Sequence, residues 1–308
     1  MKVLITGGCG FIGSNLAEEL SKNHDVVILD NLSTGSLDNI KDFNVEFFKG
    51  DILDVNLLKK LIKDVDCVSH QAAVVSIPES IENPVRAEEV NVKGTINVLT
   101  ASMDSGVDKV VNASSCAVYG DTPLLPVRED VPLNPKSPYA VTKLASEYHC
   151  NVFTEIFGIN TISLRYFNVY GPRQNPDSEY AAVIPKFIQR AIKGEPLIIY
   201  GDGEQTRDFI YVKDVVRADI IALKSKKSGV FNVATGKRVS INELASLINE
   251  LVDVNSEPVY DKPREGEIRH SFGDITRIKD QLGFEPTYSM ESGLKETIEW
   301  FEEKIESE

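Results

Sequence analysis

Residues 2–13 read Lys-Val-Leu-Ile-Thr-Gly-Gly-Cys-Gly-Phe-Ile-Gly, an apolar run that gives way to a cluster of glycines. Lys2 to Thr6 is nearly all apolar, as a parallel strand buried on both faces must be, and Phe11 to Lys22 then takes up helical spacing. Gly8, Gly10 and Gly13 satisfy G-x-G-x-x-G, while Gly7, Gly10 and Gly13 satisfy the wider G-x-x-G-x-x-G. Glycines at this junction allow a tight turn, let a pyrophosphate approach the backbone and let the helix pack close to the sheet. The helix N-terminus adds free N–H groups and a partial positive charge. Asp30 ends the next apolar run, 20 residues after Gly10. A carboxylate there accepts hydrogen bonds from both adenosine-ribose hydroxyls and repels a 2′-phosphate, so the expected cofactor is NAD rather than NADP.

Outward from this stretch, short β-branched runs alternate with amphipathic ones. Val26 to Asp30, Val45 to Phe48, Cys67 to His70 and Lys109 to Ala113 read as strands, with helical spacing over Val55 to Ile62 and Ala87 to Asp104. A further helix runs from about Ser137 to Phe157, and a strand from Asn160 to Arg165. Right-handed crossovers turn such an alternation into an α/β fold: a Rossmann-type doubly wound parallel sheet. After Tyr170-Gly171-Pro172 the texture changes, with helices expected at Val183 to Lys193, Val212 to Leu223, Ile241 to Leu251 and Ser292 to Lys304. The expected division is an NAD-binding domain over 1–170 and a smaller C-terminal α/β substrate-binding lobe over 171–308. The first would draw strand contributions from about 205–235, because Gly229 to Ala234 could return to the main sheet.

The 308 residues suffice for a substantial core, since a chain of this length buries roughly three quarters of its unfolded surface. Lys plus Arg number 33 and Asp plus Glu 47, a formal charge of −14. That field disfavours nucleic acid and anionic membrane surfaces, so a phosphate-bearing ligand needs a few placed arginines or helix N-termini. No apolar run approaches the ~20 residues that cross a bilayer, and the N-terminus turns glycine-rich too early for an export signal. A cytoplasmic protein is expected. Cys9, Cys67, Cys116 and Cys150 form no Cys-x-x-Cys pair, which points to reduced thiols and no metal site.

Tyr139 and Lys143 stand four apart in a helical stretch, so both side chains leave the same face. An ammonium and a cationic nicotinamide both favour phenolate, which would let Tyr139 accept a hydroxyl proton as hydride leaves the carbon. Ser115 follows the fifth strand, at the carboxyl edge where ligands of such sheets bind, and its hydroxyl can donate to and accept from one substrate oxygen. Alone, Tyr-x-x-x-Lys is a common surface pair. The expected catalytic set is Ser115, Tyr139 and Lys143.

With these residues in place the chain resembles the extended short-chain dehydrogenase/reductase family, and within it the UDP-hexose 4-epimerases. The resemblance runs almost end to end: TGGCGFIG (6–13), DNLSTG (30–35), HQAA (70–73), NVKGT (91–95), SSCAVYGD (114–121), YAVTK (139–143), RYFNVYGPRQ (165–174), GDGEQTRDFIYVKD (201–214) and PREGEIRHSFGD (263–274). It implies cofactor contacts from Gly7, Gly10, Phe11, Ile12, Gly13, Asp30, Asn31, Ser33, Gly35, Asp51, Ile52, Gln71, Ala72, Ala73, Asn91, Tyr139, Lys143 and Tyr166. It implies UDP-sugar contacts from Ser76, Ser115, Asn168, Val183, Lys186, Tyr200, Arg207, Arg264 and Ser271. The two arginines have independent sense, because a diphosphate bound to an acidic protein needs fork-shaped donors.

Relatives that share the oxidation of C4 differ in the step after it. The 4,6-dehydratases resemble Thr-Asp-Glu before Val-Tyr-Gly and the decarboxylases Ser-Glu; here Ser115, Cys116 and Ala117 stand in those places, and a methyl group cannot shuttle protons. Cys116 matches the cysteine of epimerase-reductases acting at C3 or C5. Their histidine after Tyr-Gly-Pro is replaced by Arg173, Gln174 and Asn175. The expected reaction is therefore UDP-glucose/UDP-galactose interconversion through a transient 4-keto sugar. Ser271, where relatives excluding an N-acetyl group carry tyrosine, extends it to UDP-GlcNAc/UDP-GalNAc. Uronate epimerase, decarboxylase and dehydratase readings stay open, as does a non-catalytic NAD-binding sensor, against which Tyr139 and Lys143 both count. The resemblance also implies a homodimer, through the helices around Ala87 to Asp104 and Ser137 to Phe157.

Overall fold

The computed structural model describes residues 1–176, 182–254, 256–263 and 268–307. Seven strands make the central sheet: Lys2–Thr6, Asp25–Asp30, Glu46–Lys49, Cys67–His70, Lys109–Ser115, Asn160–Tyr166 and Gly229–Val233. All pair in parallel. From Lys2–Thr6 the order runs outward through Asp25–Asp30 to Glu46–Lys49 on one side. On the other it runs through Cys67–His70, Lys109–Ser115 and Asn160–Tyr166 to Gly229–Val233. The direction of winding thus reverses between Lys2–Thr6 and Cys67–His70, which opens a crevice at their carboxyl ends. Val3, Leu4 and Ile5 are completely buried, because helices cover both faces of the sheet.

Helix boundaries follow their caps. Asp54 accepts from the N–H groups of Asn56 and Leu57 to open Val55–Ile62, and Ser137, with Pro138 behind it, opens Pro138–Phe157, which Gly158 closes in the left-handed region (φ 76°). The single helix expected over 87–104 is instead Pro84–Glu88, a π-turn over Glu89–Lys93, and Gly94–Asp104. The wide turn carries Asn91, whose side chain is drawn out of the helix to the backbone of Val74. Two short helices, Ile77–Glu82 and Thr276–Leu282, carry too few turns to show a period.

Of the 205–235 stretch only Gly229–Val233 joins the sheet. After Tyr166 the chain bends away: the N–H of Phe167 still reaches the Val233 carbonyl, but that of Asn168 reaches the Asp208 carbonyl. Asn168–Tyr170 consequently pairs with Phe209–Tyr211, and Thr206–Arg207 pairs antiparallel with Val239–Ser240.

A second apolar core gathers Tyr170, Ile184, Phe187, Leu244, Ile248, Leu294 and Phe301 under the helices Val183–Ile192, Ile241–Leu251 and Met290–Ser307. Phe11 and Ile12, at the start of the helix Phe11–Ser21, pack against it. The glycine turn is therefore anchored on both sides of the crevice. No helix among the described residues is long and apolar enough to cross a membrane.

Candidate active site

The glycine turn is dictated by close approaches. Gly7 has φ 70°, and a Cβ there would meet the Ala72 backbone nitrogen at 2.7 Å; one on Gly13 would lie 2.2 Å from the Gly7 carbonyl oxygen. Gly10 differs: a Cβ would meet only the Gly7 carbonyl, at 3.3 Å, so its outer face is open. That is the cradle a pyrophosphate requires above the N-terminus of Phe11–Ser21. A Cβ on Gly35 would meet Cys9 at 2.7 Å, so Gly35 is needed to bring its loop against the turn.

Asp30 is buried at the end of its strand and accepts from the N–H groups of Cys9 (2.9 Å) and Leu32 (2.7 Å). These bonds hold the carboxylate beside the turn and leave it lone pairs for hydroxyl donors. Asn31 donates to Asp51 (2.9 Å) and receives the N–H of Ser33. Asp51 thus sits beside Asn31, whereas Ile52 is turned into the core, against the position a Cβ of Gly94 would take.

Across the switch point, Asn91 is wholly engaged in holding others. Its side chain receives the Val74 N–H (2.8 Å) and donates to the Val74 carbonyl (3.0 Å) and the Thr142 hydroxyl (2.9 Å). It therefore ties the Gln71-Ala72-Ala73 loop to the helix that carries Tyr139 and Lys143. Beneath, the buried His70 ring bridges the hydroxyls of Thr6 (2.7 Å) and Thr95 (3.0 Å). Burial and the neighbouring Lys143 push its pKa down to about 3, so it stays neutral.

Ser115 caps the turn Cys116–Tyr119 by accepting the Ala117 N–H, and it hydrogen-bonds Tyr139. Lys143 is buried, donates to the Ala113 carbonyl at 2.7 Å and lies 5.9 Å from the centre of the Tyr139 ring. Burial pushes the Tyr139 hydroxyl up to about 12, against the Ser115 hydrogen bond; burial also pushes Lys143 down to about 8, against the pull of Glu147. The phenol is thus protonated at neutral pH until a further cation arrives next to it.

The opposite wall comes from the bend after Tyr166. Asn168 donates to the Asp208 carbonyl (3.1 Å), and the Ser271 N–H reaches the Thr206 carbonyl (3.1 Å). Cys116 packs against the cluster that holds Phe167 and Ala234, which brings this wall up to the turn that follows Ser115, and the charges of Arg207 and Asp208 bear on its thiol. Nothing in the sequence marks Asp208, yet it organises the wall. Its two carboxylate oxygens accept from Thr235 (N–H 2.8 Å, hydroxyl 2.6 Å), Gly236 (3.0 Å) and Gly273 (3.2 Å). Ser76 caps the helix Ile77–Glu82, whose Ser80 hydroxyl accepts the Tyr139 N–H at 3.1 Å. Val183 opens a helix against the second core and Tyr200 ends the strand Ile198–Tyr200, with Lys186 one turn into that helix. Tyr166 gives its hydroxyl to the buried carboxylate of Asp219, at 2.9 Å. Arg264 lies outside the described residues.

Residues 3–234 match the model of the NAD dependent epimerase/dehydratase family. The chain belongs to this family. Among its members, UDP-glucose 4-epimerase of Mycolicibacterium smegmatis is 38% identical over 312 residues, 99% of each chain. UDP-N-acetyl-alpha-D-glucosaminuronate decarboxylase of Bacillus cytotoxicus is 39% identical over 318 residues, 98% of each. The solved UDP-N-acetylglucosamine 4-epimerase of Methanobrevibacter ruminantium M1, in complex with UDP-N-acetylmuramic acid, superposes with a TM-score of 0.96 at 41% identity, covering 98% of each chain. NAD is the cofactor of this family, and the open face of Gly10 with the anchored Asp30 carboxylate fits its pyrophosphate and adenosine ribose. The enzyme is an extended short-chain dehydrogenase/reductase of the epimerase/dehydratase type.

Proposed function

We propose that the protein is a UDP-hexose 4-epimerase that interconverts UDP-glucose with UDP-galactose and UDP-GlcNAc with UDP-GalNAc. Held between the open face of Gly10 and the Asp30 carboxylate, NAD would supply a reversible hydride acceptor for sugar C4. Tyr139 takes the 4-hydroxyl proton and gives it back, Ser115 holds the same oxygen, and Lys143 favours the phenolate by its charge. Asp30 and Asn31 hold the adenosine end, and Arg207 neutralises the diphosphate from the facing wall.

The observation carrying this reading is that, among the described residues, no working acid or base other than Tyr139 stands beside Ser115. Asp208 is the carboxylate that bears on Cys116, and its oxygens are engaged by Thr235, Gly236 and Gly273. Cys116 is pushed up to about 12, mainly by burial, so it is no base at neutral pH. Water elimination and decarboxylation both need a proton carrier there; epimerisation does not. The test is to incubate purified protein with each UDP-sugar pair and separate the products. 4-Epimers alone are expected, and a dehydrated or decarboxylated product would replace this reading.

Ser271 is partly buried on the wall facing Ser115, with its backbone tied to Thr206. Ser271→Tyr is expected to lower kcat/KM for UDP-GlcNAc by at least ~100-fold while sparing UDP-glucose. A single filled subsite discriminates by roughly that factor. Equal losses on both sugars would contradict the steric account.

A homodimer is supported by an exposed apolar stripe. Val141, Tyr148, Val152 and Ile156 lie along the helix Pro138–Phe157, and Ile81 and Val85, 61% and 68% exposed, extend it on the helices packed alongside. Such a contiguous patch marks an interface. Val152→Glu with Ile156→Glu is expected to halve the mass seen by sedimentation, and an unchanged mass would move the interface elsewhere.

A further inference from the structure

Asp219, on the helix Val212–Lys224, is completely buried, and nothing in the proposed chemistry uses it. One oxygen accepts from the Gln71 side chain (2.8 Å) and the Tyr166 hydroxyl (2.9 Å), the Ser69 hydroxyl stands beside the carboxyl, and among the described residues no donor meets the other oxygen in hydrogen-bonding geometry. The Gln71 amide also donates to the Ser69 hydroxyl (2.9 Å) and reaches Tyr166 (3.3 Å), so the cluster is closed by neutral groups. Burial pushes the carboxyl up to about 6, opposed by hydrogen bonds with Tyr166 foremost, and no cation contributes. Other buried carboxylates of the chain have what this one lacks: Glu147 has a guanidinium, and Asp30, Asp208 and Asp214 have backbone N–H groups. A buried charge left among neutral groups is expensive, and the expense is relieved by a cation that arrives later.

The cluster lies at the carboxyl edge of the sheet, where Gln71 follows the strand Cys67–His70 and Tyr166 ends Asn160–Tyr166. These strands flank the one that ends at Ser115. The oxidised nicotinamide ring bears a positive charge and the reduced ring is neutral. We propose that Asp219, acting through Gln71 and Tyr166, is the counter-charge to the oxidised ring and so sets the preference of the site for oxidised over reduced cofactor. It is a positioning residue that touches neither sugar nor reacting atoms. The inference rests on the NAD reading of the site and not on the choice of sugar.

The test is a competition without sugar. Purified wild-type protein and Asp219→Asn are equilibrated with equal amounts of oxidised and reduced cofactor, freed of excess by gel filtration, and the two retained forms are quantified. The isosteric variant is expected to move the retained ratio about tenfold toward the reduced form, with a melting temperature equal to or above that of wild type. A structural role would weaken both forms alike, so an unchanged ratio overturns the proposal. Should Asp219→Asn fail to fold, Tyr166→Phe carries the same competition with the same sign, because loss of that donor lets the carboxyl take up a proton; an unchanged ratio there overturns it equally.

Discussion

Tyr139→Phe is expected to lower kcat by about 10³-fold or more, the scale of a lost general acid-base group, while its melting temperature stays close to that of wild type. The variant loses one hydroxyl, whose hydrogen bond to Ser115 contributes only about 1 kcal/mol. Folding is spared because the helix is held by other contacts: Ser137 caps it, Ser80 receives the Tyr139 N–H, and Lys143 is tied to Ala113. The pH profile of the wild type carries the same logic. Lys143, pushed down to about 8, is an ammonium below that pH and loses its charge above it. The phenolate thereby loses its support on the alkaline side, so turnover should decline as pH rises through about 8. Turnover of Tyr139→Phe at the wild-type rate would show that another group takes the proton.

Glu147→Ala is the substitution expected to cost most in stability. Glu147 and Arg165 form a buried bidentate pair, with bonds of 2.8 and 2.7 Å, and Ser114 donates to the same carboxylate. The guanidinium also donates to Tyr119 (2.9 Å), whose hydroxyl bonds Asn232, so the pair locks the helix Pro138–Phe157 to the strand Gly229–Val233. Removing the carboxylate leaves a buried cation without a partner, a loss of about 3–5 kcal/mol, or roughly 5–10 °C in melting temperature. Replacing both residues with methionine should restore part of it, because the pair is worth much less than either charge alone costs. Calorimetry on Glu147→Met, Arg165→Met and the double variant decides. A double variant as unstable as the sum of the singles would mean that the groups act independently. Lys143 should respond too: with Glu147 gone, burial acts unopposed and its pKa falls further, moving the alkaline decline to lower pH.

How far the sequence could be read depended on the range of the interaction. The helix Val55–Ile62 and the capped start of Pro138–Phe157 were legible, because an apolar period and a Ser-Pro cap are written within one turn. The break of 87–104 at Glu89–Lys93 was not, since its cause is a bond from Asn91 to Val74, in another element. The fate of 205–235 was half legible: Gly229–Val233 is apolar enough to be central, but nothing local tells that Phe209–Tyr211 leaves with Asn168–Tyr170.

The same division runs through the site. Strand, glycine turn and helix, the carboxylate of Asp30 and the four-residue step from Tyr139 to Lys143 are consequences of backbone geometry acting over a few residues, and the order of residues alone determined them. That Phe167 and Ala234 come to pack with Cys116, that Asn91 is spent as a tie, and that Asp219 waits 148 residues beyond Gln71 were decided only by the tertiary structure. A buried charge or a donor takes its meaning from what packs around it, and packing partners brought from distant parts of the chain leave no periodic trace in either segment.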